Sequence, residues 1–583
     1  MSTRGSQVDS RAHPVRFAFC VGALGLLAGA LVGRLLMLQF LDVEQGQAFL
    51  QSQGDQRSVR YAPIPASRGA ILDRNGSPLA LSTPVVTIAI NPSQFQRENL
   101  SFLARALDRN LADLEAEFDR RATLQFMYVR RQVSPVVAQS VIESSLPGLI
   151  ISREHKRFYP AGELVAQLVG LTNRDQEGVS GIELAYDKAL RGQVGRKKYI
   201  QDRNGQAIRD IGVIDPAADG KELRLSIDLR LQYVQFRALQ RAVERFEAES
   251  ASAITVDAQT GEVLAVSNFP SFNPNDRVDL PVNYRRNRVF VDQYEPGSTF
   301  KALTAVAALE SGLFTPVSMF DTSPGWMVVQ GKTFKDPVDY GSLTLREVMA
   351  KSSQVGTTQI ALELGRDALL PVLQRFGVGQ SLGIGFPGEA SGSLPLQSRW
   401  SDIEQATLAF GYGLSVSPAQ LASFYSIFAN QGRMQPMTLL AQEDVDRSIA
   451  RPIISPVVAE QVLDMLRAVT EKGGTGLLAN VTGFSVAGKT GTVHKSGAKG
   501  YQRDQYIAWF AGVAPATDPR LVTVVMVDGP KGKEFGGGAV AAPVFADMSA
   551  AMLRVMGESP NLQDPMMRVA KLAAAVAGEA QDG

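Results

Sequence analysis

A chain of 583 residues, 45% hydrophobic and 20% charged, is long enough for several domains and too apolar to be disordered. A formal net charge of +1 offers no basic surplus to a phosphate backbone, so no nucleic-acid partner is expected. Three histidines and one cysteine exclude a His/Cys metal cluster and a disulfide framework.

In chain order, residues 17–33 carry no charge, and beyond Arg34 the apolar run resumes through Leu35, Leu36, Met37 and Leu38. One transmembrane helix over 17–40 is expected. Arg4, Arg11 and Arg16 precede it while Asp42 and Glu44 follow, which puts a tail of residues 1–16 in the cytoplasm and everything beyond about residue 40 across the membrane. The run exceeds a usual signal-peptide core and has no small-x-small site behind it, so we expect an uncleaved anchor. Gly25, Gly29 and Gly33 form a doubled GxxxG face that suits a partner helix, and equally a flexible glycine-rich span.

Residues 45–220 are mixed in character. Ile71-Leu72 and Leu79-Ala80 flank an Asn75-Gly76 turn, and Asn204-Gly205 repeats that signal, as in the hairpins of an elongated module. Residues 100–118 and 134–145 have helical periodicity, and a helix-like run follows Gly181-Ile182-Glu183.

From about residue 225 the register changes. A helix is expected from Leu229 to about Glu247, then a hairpin of Ala253–Asp257 with Glu262–Val266 across Thr260-Gly261. Helices are expected near 344–364, 402–410 and 418–431, and strands over Tyr506–Val513 and Leu521–Asp528. Strands at both ends with helices between make an α+β unit with an antiparallel sheet.

Inside this unit Pro296-Gly297 break the chain, Ser298 suits a helix start, and Phe300, Leu303, Val306, Ala307 and Leu309 recur at helical spacing up to Gly312. Residues three apart share a helix face, so the Ser298 hydroxyl and the Lys301 amine point the same way. A serine needs a base to act as a nucleophile, and a lysine whose pKa is lowered by burial or by a second cation can be that base. Ser-x-x-Lys is a weak signal alone, and it recurs at Ser496 and Lys499 in a polar, glycine-rich stretch.

Two further motifs strengthen it: Ser352-Ser353-Gln354 opens another helical run, and Lys489-Thr490-Gly491-Thr492 sits on an expected strand. In order and spacing the three match the signatures of penicillin-binding proteins and serine β-lactamases. The chain resembles a class B penicillin-binding protein of the septal, cell-division type. Arg68-Gly69-Ala70-Ile71-Leu72-Asp73, Gly181-Ile182-Glu183, Phe410-Gly411-Tyr412-Gly413 and Ile507-Ala508-Trp509-Phe510 look like further family landmarks.

The resemblance implies an anchor, a pedestal (dimerisation-type) domain over 45–220 and a transpeptidase domain over 225–557; Pro560, Pro565 and an Ala-rich end make residues 558–583 an expected poorly ordered tail with one short helix. It implies that Ser298 attacks the penultimate D-Ala carbonyl of a stem peptide, that Lys301 takes the proton, and that Ser352 relays one to the leaving amine. Lys489 becomes the second cation, Gln354, Thr490, Gly491 and Thr492 substrate-binding residues, and the backbone N–H groups of Ser298 and Thr492 the oxyanion hole. The reaction so implied is a peptidoglycan D,D-crosslink in the periplasm, without metal or organic cofactor. The implied partners are stem peptides, β-lactam antibiotics, and membrane-anchored division proteins including a glycosyltransferase, reached through the transmembrane helix and the pedestal.

Gln354 departs from the family pattern, which has asparagine there. The amide is kept, but the added methylene moves it by about an ångström, so an altered site is expected. A carboxypeptidase or hydrolase shares the three motifs, and a division scaffold with vestigial catalysis is a further alternative. Gly483 to Thr490 also fits the P-loop spacing, but no apolar periodicity follows Lys489, which argues for strand and loop there.

Overall fold

The computed structural model describes residues 14–40, 59–201, 207–277, 280–444, 446–497 and 500–560. The Asn204-Gly205 turn, Lys499, and most of the expected cytoplasmic and C-terminal tails lie outside the described residues.

By backbone contacts the chain forms two compact units, residues 1–66 with 193–219, and residues 67–192 with 220–583. The first holds a helix, Pro14–Phe40, whose segment Pro14–Leu38 is long and apolar enough to cross a membrane. It also holds a three-stranded antiparallel sheet in the order Val59–Ile64, Gly195–Gln201, Ala207–Asp215.

In the second unit the long strand Pro78–Ile90 pairs antiparallel with both Met127–Val133 and Leu149–Phe158. Helices Leu100–Ala106, Leu111–Arg120 and Pro135–Glu143 cover it, burying Leu103, Leu114, Phe118 and Val141 against Ile88 and Ile90. The helical periodicity of 100–118 thus resolves into two helices, the second capped by Asn110, whose side chain accepts from the Asp113 N–H. Two of the family landmarks meet in a buried ion network. Glu183 accepts 2.6 Å bonds from Arg68 Nε and Arg157 Nε, with all three side chains at most 1% exposed.

The sheet that carries the site is five-stranded and antiparallel throughout, in the order Val263–Phe269, Ser250–Asp257, Leu521–Asp528, Gly500–Ala514, Ala487–Gly497. Alternation sorts its side chains between two layers. Val522, Val524 and Met526 face the core that includes helices Lys301–Glu310 and Pro418–Ala429, while Val525 and Val527 pack with helices Leu229–Arg245 and Ala541–Met556. Covered on both faces, Leu521–Asp528 is buried along its whole length, which is why it reads as an unbroken apolar run. The α+β class, the hairpin and the late strands are as expected. Gly488-Lys489 lies within the edge strand and opens no helix, so the P-loop match is a coincidence of spacing.

One expected helix divides. The run over 344–364 appears as Leu345–Lys351 and Gln354–Arg375, parted at Ser352, a non-glycine residue at φ 57° and ψ 36°.

Candidate active site

The site forms where three elements converge at the exposed edge of the five-stranded sheet. The first is the turn before the buried helix. Residues Gly297–Phe300 form a single 3₁₀ turn, and the α-helix begins at Lys301, so Ser298 sits one turn ahead of the helix proper. Three bonds pin the turn: Thr299 Oγ1 donates to Pro296 O (2.8 Å), Gly297 N to Gly411 O (3.1 Å), and Tyr425 OH to Thr299 O (2.8 Å). Gly297 has φ +55°, and a Cβ there would stand 2.5 Å from Val493 Cγ1 on the edge strand. Gly491 completes the approach from the other side, since a Cβ on it would stand 2.9 Å from Pro296 O.

The second element is the break between the two helices, and the third is the edge strand Ala487–Gly497. The residues Ser298, Ser352, Gln354, Thr490 and Thr492 all line one open cleft of about 580 Å³, together with Asp336, Thr475 and Gly536 to Gly538. Lys301 and Lys489 lie beneath it, each 0% exposed. All three sequence motifs therefore meet at one place, and Ser496 of the duplicate Ser-x-x-Lys spacing lies exposed near the far end of the strand.

Burial sets the electrostatics. Lys301 Nζ bonds to Ser352 O (2.7 Å) and Ser353 O (3.0 Å) and lies 3.3 Å from Ser352 Oγ. Desolvation lowers its pKa to about 7, and the Asp336 charge opposes that only in part. A neutral amine has two N–H groups for the two carbonyls and one lone pair left for a hydroxyl, so this cage suits the base form. Burial first, and the Lys301 charge second, hold the Lys489 amine well below its ordinary value. Among the described residues the Ser298 hydroxyl has no hydrogen-bond partner, and the residue is only partly buried, facing the cleft.

The edge strand is held by its side chains. Thr490 Oγ1 lies 2.8 Å from Thr475 Oγ1, Thr492 Oγ1 accepts from Gly537 N (3.0 Å), and Tyr412 OH donates to Thr492 O (3.2 Å). Thr475 and Gly537 were not singled out by sequence reasoning, while Tyr412 belongs to a landmark run whose role could not be read.

The residue most completely missed is Asp336. It is 2% exposed and directly follows the hairpin Trp326–Val329 with Lys332–Lys335. Its Oδ2 accepts from Ser353 Oγ (2.5 Å), and its Oδ1 accepts from the N–H groups of Gln354 (2.5 Å) and Val355 (3.3 Å). One carboxylate thus caps the Gln354–Arg375 helix and fixes the break that presents Ser352. A lone acid among loop residues carries no periodic or motif signal. Among the described residues no group of three or more His, Cys, Asp or Glu could hold a metal ion.

A deep-seated lysine pair beneath a serine-lined cleft at the edge of an antiparallel sheet defines a penicillin-binding transpeptidase fold, and comparison with known proteins agrees. Residues 251–550 match the penicillin binding protein transpeptidase domain and residues 63–225 the penicillin-binding protein dimerisation domain. The chain belongs to the class B penicillin-binding proteins. It is 40% identical to the probable peptidoglycan D,D-transpeptidase PbpC of Pseudomonas aeruginosa, over 96% of this chain and 98% of that one. It is 39% identical to the peptidoglycan D,D-transpeptidase FtsI of Escherichia coli, over 94% and 92%. Among solved structures, penicillin binding protein 3 of Mycobacterium tuberculosis in complex with aztreonam superposes with a TM-score of 0.67 at 27% identity, covering 86% of this chain and 98% of that one.

Proposed function

We propose that the protein is a serine-type peptidoglycan D,D-transpeptidase that crosslinks stem peptides during septal wall synthesis and is acylated by β-lactams. The observation that carries this reading is the Lys301 amine: buried, brought to about pH 7, and placed against Ser352 in the turn that follows Ser298.

In this reading Ser298 Oγ attacks the penultimate D-Ala carbonyl carbon and its proton passes to Lys301 Nζ. The N–H groups of Ser298 and Thr492 receive the oxyanion. Ser352 Oγ hands its proton to the nitrogen of the terminal D-Ala as the C–N bond breaks and takes in exchange the proton held by Lys301 Nζ, 3.3 Å away, leaving an ester on Ser298. The amine of a second stem peptide then attacks that ester, the C–O bond breaks, and the proton returns to Ser298. Burial keeps Lys301 from holding its proton, and Lys489, with Thr490, Gly491, Thr492 and Gln354, binds the stem peptide and its carboxylate.

The same reading places residues 1–16 in the cytoplasm, the anchor in the inner membrane, and both a pedestal over 45–220 and a transpeptidase domain over 225–557 in the periplasm. The membrane-anchored partners are division proteins, a glycosyltransferase among them. A stem pentapeptide offered to the protein with a D-amino acid acceptor tests the transfer: an amide product is expected, and exclusive release of the free acid would make the protein a hydrolase.

A further inference from the structure

A second pocket, of about 200 Å³, lies where the segments around Lys156 and Arg174 meet the Pro274–Arg277 loop, and it shares no lining residue with the cleft around Ser298. Lys156, Arg157, Arg174 and Arg277 line it, and among the described residues no aspartate or glutamate does. Three acids nearby in sequence pair with other arginines. Arg131 pairs with Glu154 (3.3 Å) and Asp175 (3.1 Å), and Arg191 with Glu177 (3.2 Å). Among the described residues the Lys156 and Arg174 side chains have no partner, and Arg277 donates only to the carbonyls of Pro274 and Thr172. The pocket is therefore electropositive, and among the described residues Arg157 alone of the four cations pairs with a carboxylate, that of Glu183.

Two buried atoms give it a finer specification. Arg157 is 4% exposed; its Nε donates to Glu183 and its Nη1 to Arg68 O and Ser82 Oγ, yet its Nη2 has no partner. Gln176 donates through Nε2 to His155 O (2.9 Å), while its buried Oε1 has no partner. A buried donor and a buried acceptor left open in one pocket each carry a desolvation penalty that a ligand can remove. An inorganic anion with no O–H group, such as sulfate, satisfies only the donor. A carboxylate on a carbon that also bears an amide N–H satisfies both.

We propose that this pocket is a peptidoglycan subsite that takes a free stem-peptide α-carboxylate, that of the γ-linked glutamate, with its adjacent amide N–H directed at Gln176. The choice of ligand rests on the transpeptidase reading above. The carboxylate pairs with Arg157 Nη2 and with the Lys156 and Arg174 charges, and the site holds a strand that is not reacting at Ser298.

The test uses full-length protein carrying Ser298→Ala, titrated calorimetrically with the tripeptide L-Ala-γ-D-Glu-meso-diaminopimelate, which lacks the D-Ala-D-Ala end. Saturable binding is expected, weakened at least fivefold by Lys156→Ala with Arg174→Ala and at least tenfold by amidation of the tripeptide carboxylates. Gln176→Leu is expected to weaken the tripeptide at least threefold while leaving inorganic sulfate unaffected. Absence of binding, binding indifferent to these changes, sulfate binding as tightly as the tripeptide, or a hexaglutamate peptide binding more tightly would each overturn the proposal. β-Lactam adduct formation on Lys156→Ala/Arg174→Ala protein with Ser298 intact reads the catalytic chemistry separately and is expected to be unchanged, so failure of the subsite and failure of the transpeptidase reading are told apart.

Discussion

Asp336 Oδ2 accepts a 2.5 Å hydrogen bond from Ser353 Oγ, and through that bond a residue outside every recognised motif holds the segment whose carbonyls cage Lys301. A hydrogen bond to a charged group contributes about 1.5–3 kcal/mol, and an unpaired buried partner costs as much again. Asp336→Ala is expected to slow β-lactam acylation by about 10- to 100-fold, with Asp336→Asn recovering part of the loss. Rapid-mixing measurement of acyl-enzyme formation checks this, and an unchanged rate in Asp336→Ala would show that the break is held without the carboxylate.

The Lys301 amine predicts the pH profile. Its pKa is lowered from the ordinary 10.5 to about 7, and the reactive form is the deprotonated one. Below pH 7 the amine is mostly charged and cannot take the Ser298 proton; above it the amine is mostly neutral. Acylation is therefore expected to rise about tenfold between pH 6 and pH 8 and then level off. A rate independent of pH across that interval would remove Lys301 from the role of base.

Gln354 tests how far the site tolerates a longer amide. Its backbone N–H is fixed by Asp336 and the residue lines the cleft, so the extra methylene is taken up by the side chain alone. Gln354→Asn is expected to acylate within about threefold of wild type, and Gln354→Ala about tenfold more slowly, the size of one lost hydrogen bond. Equal rates for Gln354→Ala and wild type would show that the amide does not touch the ligand.

The Arg68–Glu183–Arg157 network is structural. All three side chains are at most 1% exposed, so Glu183→Gln leaves the Arg157 guanidinium buried without a counter-charge and Arg68 with Asp187 alone (2.7 Å). A cost of about 3–5 kcal/mol is expected, read as a lower denaturant midpoint for the full chain. A shift worth less than about 0.5 kcal/mol, the range of a surface substitution, would contradict it.

The catalytic unit was legible in the sequence because its signals are local. Turn residues at Thr260-Gly261, apolar runs such as Leu521–Asp528, and three short motifs at fixed spacing each depend on neighbouring residues, and each appears where expected. Two kinds of feature were not legible. Ser352 breaks what periodicity presents as one helix, since its left-handed conformation is selected by tertiary contacts, its own with Lys301 and that of Ser353 with Asp336, and not by its own propensity. Asp336, Arg157 and Thr475 act across long sequence separations, on Ser353, Glu183 and Thr490, and no window along the chain joins those pairs. Ser298 was expected to open the α-helix; a 3₁₀ turn carries it instead, beginning at Gly297, where φ is +55° and a side chain would collide with Val493.

The measurement that bears most directly on the central claim is the intact mass of the full-length protein after exposure to a β-lactam, wild type beside Ser298→Ala. A single adduct of the drug's mass on the wild type, absent from Ser298→Ala, is the predicted result. No adduct on either protein, or the same adduct on both, would contradict the assignment of Ser298 as the acylated alcohol.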